Sequence, residues 1–255
     1  MTPPISIDGT DITGATIDGT DVQEITVDGD VVFSAAPPIP DIQNLHARYD
    51  ARNLSLSDGQ TVTSWPDEVA SADLSAVSSP KYVTSAINGV PAVEYDGVDD
   101  RHDASFASSI SDPYSIFFSG RLKTRNDGNA DIAFADNPVP GSGFVGFQIG
   151  NGSGSYKWKI NGGSDQVLGT NDTNAHIFSA LFNNGTGTFR EDSQTIASKN
   201  SDSDKNDFEG ISLARRSDGF EPGNIEIVEV LVYSADESSN QTQIENYLDR
   251  DLGLI

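Results

Sequence analysis

The sequence contains no cysteine, and this absence excludes several kinds of site at once. Without thiols the chain can form no disulfide framework, no thiolate metal centre and no active site with a cysteine nucleophile. Its stability must therefore come from packing, hydrogen bonds and ion pairs.

Positive charge is also scarce in this chain. Its 255 residues carry 15 Lys and Arg against 39 Asp and Glu, a formal net charge of −24. Nucleic acids and anionic membranes both attract clustered basic side chains, so we expect neither as a partner. An acidic surface suits molar salt, where the screening length falls to about 3 Å and charge self-repulsion weakens. The composition therefore predicts adaptation to high salt.

Long apolar runs are missing as well. No run approaches the ~18 residues that cross a bilayer. The opening residues, MTPPISIDGT, have neither the basic and apolar regions of a secretory signal nor a twin-Arg motif. We therefore expect no membrane insertion, and synthesis and assembly in a cytoplasm.

One short phrase is present three times, ten residues apart: Ile7-Asp8-Gly9, Ile17-Asp18-Gly19 and Val27-Asp28-Gly29. Asp-Gly is hairpin-turn chemistry, because both residues tolerate positive φ. Units this small cannot bury an apolar face alone. Residues 1–36 are therefore predicted to form a β-ribbon that anchors the chain and makes it a homo-oligomer, a trimer or pentamer, through residues 5–33. The side chains expected at that interface are Ile7, Ile17, Val27 and Phe33.

A proline-rich stretch follows the repeats. SAAPPIPD, residues 34–41, has three prolines in four positions and predicts a stiff, extended spacer over residues 37–41. Residues 42–255 are then predicted to form a second domain.

The second domain is rich in short alternating runs separated by Gly, Asn, Asp and Ser, which favour an antiparallel β-sandwich. Strands are predicted over residues 114–122, 143–150, 156–162, 176–183, 187–192 and 225–233. One helix is predicted over 237–253, with Ile244, Tyr247, Leu248 and Asp251 at helical spacing and Gly253 at its end.

Four segments of this domain resemble laminin-G-like, concanavalin A-like jelly-roll domains. They are LHARYDARNLSLSDGQTVTSWPDEV (45–69), INGVPAVEYDGVDD (87–100), HIFSALFNNGTGTFREDSQTIAS (176–198) and the closing stretch 211–254. The resemblance implies an all-β antiparallel jelly roll with a short C-terminal helix. It says little about function, because this fold occurs in lectins, glycanases, adhesins and spacers. The chain departs from the family at Arg101 and His102, where many relatives have an aromatic residue after the Asp-Asp pair.

The opening repeats resemble, more loosely, the N-terminal segments of structural proteins from tailed viruses of halophilic archaea. This resemblance implies a virion structural protein, either a capsid turret or decoration or a tail fibre or spike. Its jelly-roll head would face outward from the virion surface and either contact host surface glycans or only decorate the particle. The alternatives are a carbohydrate-binding module without a virion role and, third, a glycanase.

Carboxylate spacing bears on the glycanase alternative. Glycanases of this fold place two or three acids at alternate positions of one strand. The nearest match is Glu94, Asp96 and Asp99, which Gly97 interrupts, while Glu226 and Glu229 are three apart and thus expected on opposite faces. The sequence therefore predicts a protein that is not an enzyme and requires no cofactor.

Calcium is the one ion that the sequence suggests, because calcium prefers carboxylate and amide oxygens. One acidic segment contains Asp96, Asp99, Asp100 and Asp103, and another contains Asp127, Asn129 and Asp131. The alternative is that these residues form turns and solvate an acidic surface.

Sugar binding would use exposed aromatic rings beside amides. Tyr156, Trp158 and Asn161 are the candidates, and the alternative for Trp158 is a place in the sandwich core. His46, His102 and His176 are isolated in the sequence, and no pair has metal-ligand spacing. His176 is expected to be packed or solvated.

Overall fold

The structure is a computed structural model. It describes the backbone of residues 6–7, 10–11, 16–17, 20–21, 24–27, 30–34, 38–124, 131–136, 146–152, 155–161, 166–167, 172–183, 186–200, 207–219 and 222–255. Side chains are described for residues 38–124, 133–134, 172–183, 186–195, 207–219 and 222–255. Contacts between Cα atoms divide the chain into two units, Met1–Ile39 and Pro40–Ile255.

The first unit repeats one hairpin three times. The strands are β1 (Ser6–Ile7), β2 (Thr10–Asp11), β3 (Thr16–Ile17), β4 (Thr20–Asp21), β5 (Glu24–Val27) and β6 (Asp30–Ser34). Ile7 pairs with Thr10, Ile17 with Thr20 and Val27 with Asp30, so each pair brackets one Asp-Gly of the sequence. The side chains of Ile7, Ile17, Val27 and Phe33 lie outside the described residues, so the oligomer interface stays a prediction.

The described residues of the second unit form sixteen strands, a short 3-10 turn at Ala51–Asn53 and one helix. The strands are β7 (Leu45–Asp50), β8 (Ser64–Trp65), β9 (Leu74–Val77), β10 (Lys81–Ile87), β11 (Val90–Asp96), β12 (Arg101–Ile110), β13 (Tyr114–Leu122), β14 (Asp131–Asp136), β15 (Gly146–Gly152), β16 (Ser155–Asn161), β17 (Gln166–Val167), β18 (Ala175–Asn183), β19 (Thr186–Glu191), β20 (Gln194–Asn200), β21 (Phe208–Leu213) and β22 (Asn224–Tyr233). The helix is α1 (Gln241–Asp249).

These strands form two eight-stranded antiparallel sheets. The helix-side sheet has the order β10-β11-β22-β13-β18-β19-β20, with β7 paired to the second half of β22. The second sheet has the order β17-β16-β15-β14-β21-β12-β9-β8. The predicted all-β sandwich with a short C-terminal helix is confirmed.

Aromatic side chains join the two sheets. Phe118 of β13 stacks on its cross-strand partner Phe178, with ring centroids 4.8 Å apart. Phe134 of the second sheet meets Phe118 edge-on at 5.8 Å. All three rings are buried, and such pairs each add about 0.5–1.5 kcal/mol beyond the apolar area they remove from water.

A bulge in β22 changes which side chains share a face. Ser119 pairs with Glu229 and Gly120 with Ile227, so Val228 is the extra residue. Because a bulge shifts the alternation by one, Glu226 and Glu229 lie on the same face of the strand. The expectation that they lie on opposite faces was wrong, because simple alternation does not reveal a bulge.

Helix α1 packs on the helix-side sheet and is shorter than predicted. The backbone amide of Arg250 bonds to the carbonyl of Tyr247 and that of Leu252 to Asp249, so tighter turns replace helix after Asp249. The helix buries Ile244, Tyr247 and Leu248, three of the four residues whose spacing predicted it, whereas the fourth, Asp251, lies beyond its end and is exposed. No helix in the described part of the chain has the length and hydropathy to cross a membrane.

Three guanidinium groups converge beside this helix. We call Arg48, Arg52 and Arg250 the arginine cluster. Each contacts both Asp50 and Glu229, at distances between 2.7 and 3.1 Å. Glu229 is 0% exposed and Asp50 2% exposed, so these carboxylates depend on the arginines for their charge compensation.

Candidate functional site

The turn between β11 and β12 brings acidic residues together at one rim of the sandwich. Asp96 Oδ1 accepts hydrogen bonds from the backbone amides of Val98, at 2.8 Å, and Asp99, at 3.4 Å. Gly97 adopts a φ of 74°, and a Cβ there would lie 2.8 Å from Asn224 Cβ. The turn therefore requires glycine, and its Asp-Gly sequence supplies both the side-chain acceptor and the positive φ.

Three of the predicted calcium ligands converge in this turn. Carboxylate oxygens of Asp96, Asp99 and Asp100 lie within 4.8 Å of one another. Burial raises the pKa of Asp100, and the charges of Asp96 and Asp99 add to the rise, whereas backbone hydrogen bonds from Ser79 and Asp96 oppose it. A bound cation would oppose this rise, because it would favour the ionised form of Asp100.

A small cavity of about 170 Å³ is lined by polar residues that include Asp96 and Asp100. Around it, Asp100 accepts a backbone hydrogen bond from Ser79 at 2.8 Å, and Asp99 accepts the Ser78 hydroxyl at 2.8 Å. We call these residues, together with the others at the cavity and turn, the rim site. Its members are Ser78, Ser79, Lys81, Glu94, Asp96, Asp99 and Asp100.

The donor set of the rim site fits a hard divalent cation. Calcium takes six to eight oxygen ligands, and carboxylates and hydroxyls are the oxygens present here. Lys81 also lines the cavity, and its Nζ donates to Thr61 Oγ1 at 2.8 Å. Asp96, Asp99 and Asp100 could therefore hold calcium.

Asp103, the fourth predicted ligand of this segment, has other partners. Its carboxylate accepts Arg101 Nε at 2.7 Å and Ser212 Oγ at 2.7 Å. These contacts place it within β12, outside the three-residue cluster. Of the second predicted loop, Asp127 and Asn129 lie outside the described residues, and the side chain of Asp131 does too.

His102 is buried in the core rather than at the rim. Its Nε2 donates to the Val62 carbonyl at 2.9 Å, so its Nδ1 is left to accept the Tyr95 hydroxyl at 2.9 Å. Burial lowers the pKa of His102 to about 4, which keeps the ring neutral near pH 7. The Arg-His departure from the family pattern is thus one partly buried residue, Arg101, which pairs with Asp103, and one core residue, His102.

The predicted sugar-contacting residues belong to β16, of which the structure describes the backbone. Asn161 pairs across the sheet with Gly146 of β15. The line of cross-strand partners continues through Ala135 of β14 and Ser212 of β21 to Asp103 of β12. Tyr156 and Trp158 occupy the alternate positions of the strand, those of Ile160. Their side chains lie outside the described residues, so the sugar site at Tyr156, Trp158 and Asn161 stays a prediction.

A cluster around His176 was not foreseen from the sequence. Its Nδ1 lies 2.7 Å from Asp192 Oδ2 and 3.2 Å from Glu191 Oε1, and its Nε2 lies 3.0 Å from Asp172 Oδ1. Burial alone would lower the pKa of His176, but hydrogen bonds to Asp192 and Asp172 and the charge of Glu191 raise it to about 9. The ring is therefore an imidazolium that ties the start of β18 to the β19–β20 turn. Only the spacing of Asp172 and His176, four residues apart, was visible in the sequence.

Comparisons with known proteins identify the fold. No family model matches the chain, and no curated protein sequence matches it. Domain 4 of AbnA, a GH43 extracellular arabinanase from Geobacillus stearothermophilus in complex with arabinotriose, is similar with a TM-score of 0.57 and 13% identity, over 80% of this chain and 98% of that one. A Trypanosoma rangeli sialidase in complex with sialic acid is similar with a TM-score of 0.60 and 12% identity, over 91% of this chain and 36% of that one. This chain thus spans about a third of the length of the sialidases it matches.

The prediction that the chain is not an enzyme is contradicted by these likenesses. Sialidases and a domain of an arabinanase share its sandwich, at identities that show the fold alone. The sequence argument against catalysis also assumed that Glu226 and Glu229 lie on opposite faces of one strand. The bulge at Val228 removes this argument, because the two residues share a face. The prediction that this chain is not an enzyme was therefore wrong, and the likenesses do not establish an activity for it.

Proposed function

We propose that the sandwich unit is a glycan-binding domain whose ligand contacts the rim site. The observation that carries this proposal is the convergence of Asp96, Asp99 and Asp100 beside a polar cavity. A cation held by these carboxylates would supply coordination for sugar hydroxyls, and Ser78, Ser79 and Glu94 provide further donors and acceptors. Domain 4 of AbnA adds support, because it matches along nearly its whole length and was solved with arabinotriose.

The second part of the proposal concerns the setting of this domain. In this proposal the chain is a structural protein on the virion surface of a tailed virus that infects halophilic archaea. The virion is assembled in the host cytoplasm. Residues 1–36 anchor and oligomerise it, residues 37–41 are the spacer, and residues 42–255 present the glycan-binding head. Three hairpins of equal register support a repeated contact, and the charge of −24 supports a saline environment.

Glycan binding is tested on the full chain with an immobilised glycan array in molar KCl. Binding is expected with calcium and is expected to disappear in EDTA and in the Asp99→Asn variant. The matched control is Asp218→Asn, which removes an acid that pairs with Arg216 elsewhere in the domain. Binding that survives both EDTA and Asp99→Asn would show that the rim site is not the ligand site.

The assembly is tested by light scattering in high salt. The full chain is expected to be a homo-oligomer, and a chain of residues 41–255 is expected to be a monomer. Ile17→Asp should weaken the oligomer, because a charge would be buried without a partner. Equal assembly of the full and shortened chains would refute the role of the repeats, and a monomeric full chain that binds glycans would favour the free-standing carbohydrate-binding module.

A further inference from the structure

A polar groove lies on strands β18 and β19 of the helix-side sheet. Strands β22 and β13 separate it from the β10–β11 edge of the same sheet. Its floor consists of two cross-strand pairs, Leu181 with Thr188 and Asn183 with Thr186. Its wall comes from the connection between β22 and α1 and from the first residue of the helix. Three chain segments therefore build one groove of about 360 Å³, within the range of small-ligand sites.

The chemistry of this groove differs from that of the rim site. Asp236 is the single charged residue among the seven described residues that line it, whereas the rim site has four carboxylates. The other polar groups are hydroxyls and amides, contributed by Asn183, Ser238 and Gln241 among others. In a chain of net charge −24, the groove is thus a largely uncharged surface of hydrogen-bonding groups.

The polar groups of the groove are held in place by partners beneath it and by hydrogen bonds to one another. Gln241 Nε2 donates to Ser179 Oγ at 2.8 Å, and Ser179 Oγ donates to Glu245 Oε1 at 2.7 Å. Ser179 and Glu245 are 2% and 1% exposed, so this support is buried. Asn183 Nδ2 donates to Asp236 Oδ2, and Asp236 Oδ1 accepts the Ser238 backbone amide at 3.0 Å. A groove fixed in this way loses little conformational freedom when a ligand binds.

From this arrangement we infer that the groove is a second binding site, for an uncharged saccharide or comparable polyol, independent of any metal ion. A phosphate or other anion would meet Asp236 and no basic side chain among the described lining residues. A cation would find one carboxylate, fewer than calcium needs. A neutral sugar instead matches amide and hydroxyl groups with its own hydroxyls and places a C–H face on Leu181. This site goes beyond the rim site and does not depend on it.

Saturation-transfer NMR on the full chain in EDTA tests the inference. The probes are arabinotriose and maltotriose, with sialyllactose as the anionic comparator. The neutral trisaccharides are expected to bind with a dissociation constant on the order of 1 mM, and sialyllactose is expected to bind more weakly. Failure of both neutral probes to bind at about 10 mM, or stronger binding of sialyllactose, overturns the proposal.

Two variants locate the binding. Thr186→Val keeps the shape of the side chain and removes one hydroxyl from the groove, so affinity should fall about fivefold. Thr195→Val is the matched control, because Thr195 is exposed on β20 and does not line the groove. Asp99→Asn should leave this EDTA-resistant binding unchanged, which separates failure of the groove from failure of the rim site. Equal affinity in Thr186→Val and Thr195→Val would overturn the assignment.

Discussion

Arg250 Nη1 lies 2.7 Å from Glu229 Oε2, so the residue just after the helix is tied to the middle of the central strand. The guanidinium carbon of Arg250 also lies 4.0 Å from the centroid of the Tyr247 ring. Glu229 also contacts Arg48 of β7 and Arg52 of the 3-10 turn that follows it. One buried carboxylate therefore joins β7, this turn and the residue after the helix. The arginine cluster therefore depends on Glu229 as a shared partner.

Glu229→Gln should lower the free energy of unfolding by about 3 kcal/mol, because it leaves buried guanidinium groups without a full countercharge. Urea unfolding in constant salt measures the change. Glu209→Gln, at an exposed position of β21, is the matched control and should cost less than about 0.5 kcal/mol. Equal losses in the two variants would show that the cluster adds no stability.

The His176 cluster predicts a loss of stability at alkaline pH. The pKa of the His176 imidazole is about 9 in the folded chain, above the ordinary value of 6.5. The stabilisation is therefore fully present below pH 6.5 and is lost as pH rises through 9, a change on the order of 2 to 3 kcal/mol. Urea unfolding of the wild type and His176→Gln should show a large difference at pH 6.5 and a small one at pH 10.

His46→Gln is the control for that comparison. Burial lowers the pKa of His46, so its removal should not reduce the alkaline loss of stability. A difference between wild type and His176→Gln that is the same at pH 6.5 and pH 10 would contradict the role of the imidazolium.

Lowering the salt concentration should destabilise the fold. With 39 acids and 15 basic residues, self-repulsion grows as the screening length rises from about 3 Å in molar salt to about 10 Å at 0.1 M. The thermal midpoint should therefore fall steadily as KCl is diluted at constant pH. A midpoint that is flat over this range would refute adaptation to high salt.

Calcium should stabilise the folded chain through the rim site. A ligand at about 100 times its dissociation constant adds about 2.7 kcal/mol to the free energy of unfolding. Calorimetry in molar KCl should thus show a higher thermal midpoint with calcium, and the double variant Asp96→Asn/Asp99→Asn should lose this shift. Asp218→Asn should keep it, and a shift of equal size in all three proteins would place the calcium elsewhere.

Local patterns predicted the local structure of this chain well. The strand expected at 114–122 is β13, with those bounds, and the strand expected at 225–233 differs from β22 by one residue. Both segments are apolar runs bounded by turn residues. The Asp-Gly phrases likewise marked the hairpins, because turn chemistry is set by adjacent residues.

Contacts between distant residues could not be predicted in this way. Arg250 and Asp50 are 200 residues apart, and nothing in either neighbourhood indicates the other. The polar groove joins three segments, and the bulge at Val228 depends on the pairing with β13. For the rim site, three acids close in sequence were enough to suggest the cluster, but the separate partners of Asp103 were not visible.

The equal register of the three N-terminal hairpins has a genetic consequence. Among the described residues of this segment, each hairpin pairs with itself, and the inner pairs recur after ten residues. An in-frame duplication or deletion of one ten-residue unit would therefore add or remove a whole hairpin and leave the pairing of the others unchanged. A change in the number of ten-residue units would thus lengthen or shorten the segment by whole hairpins.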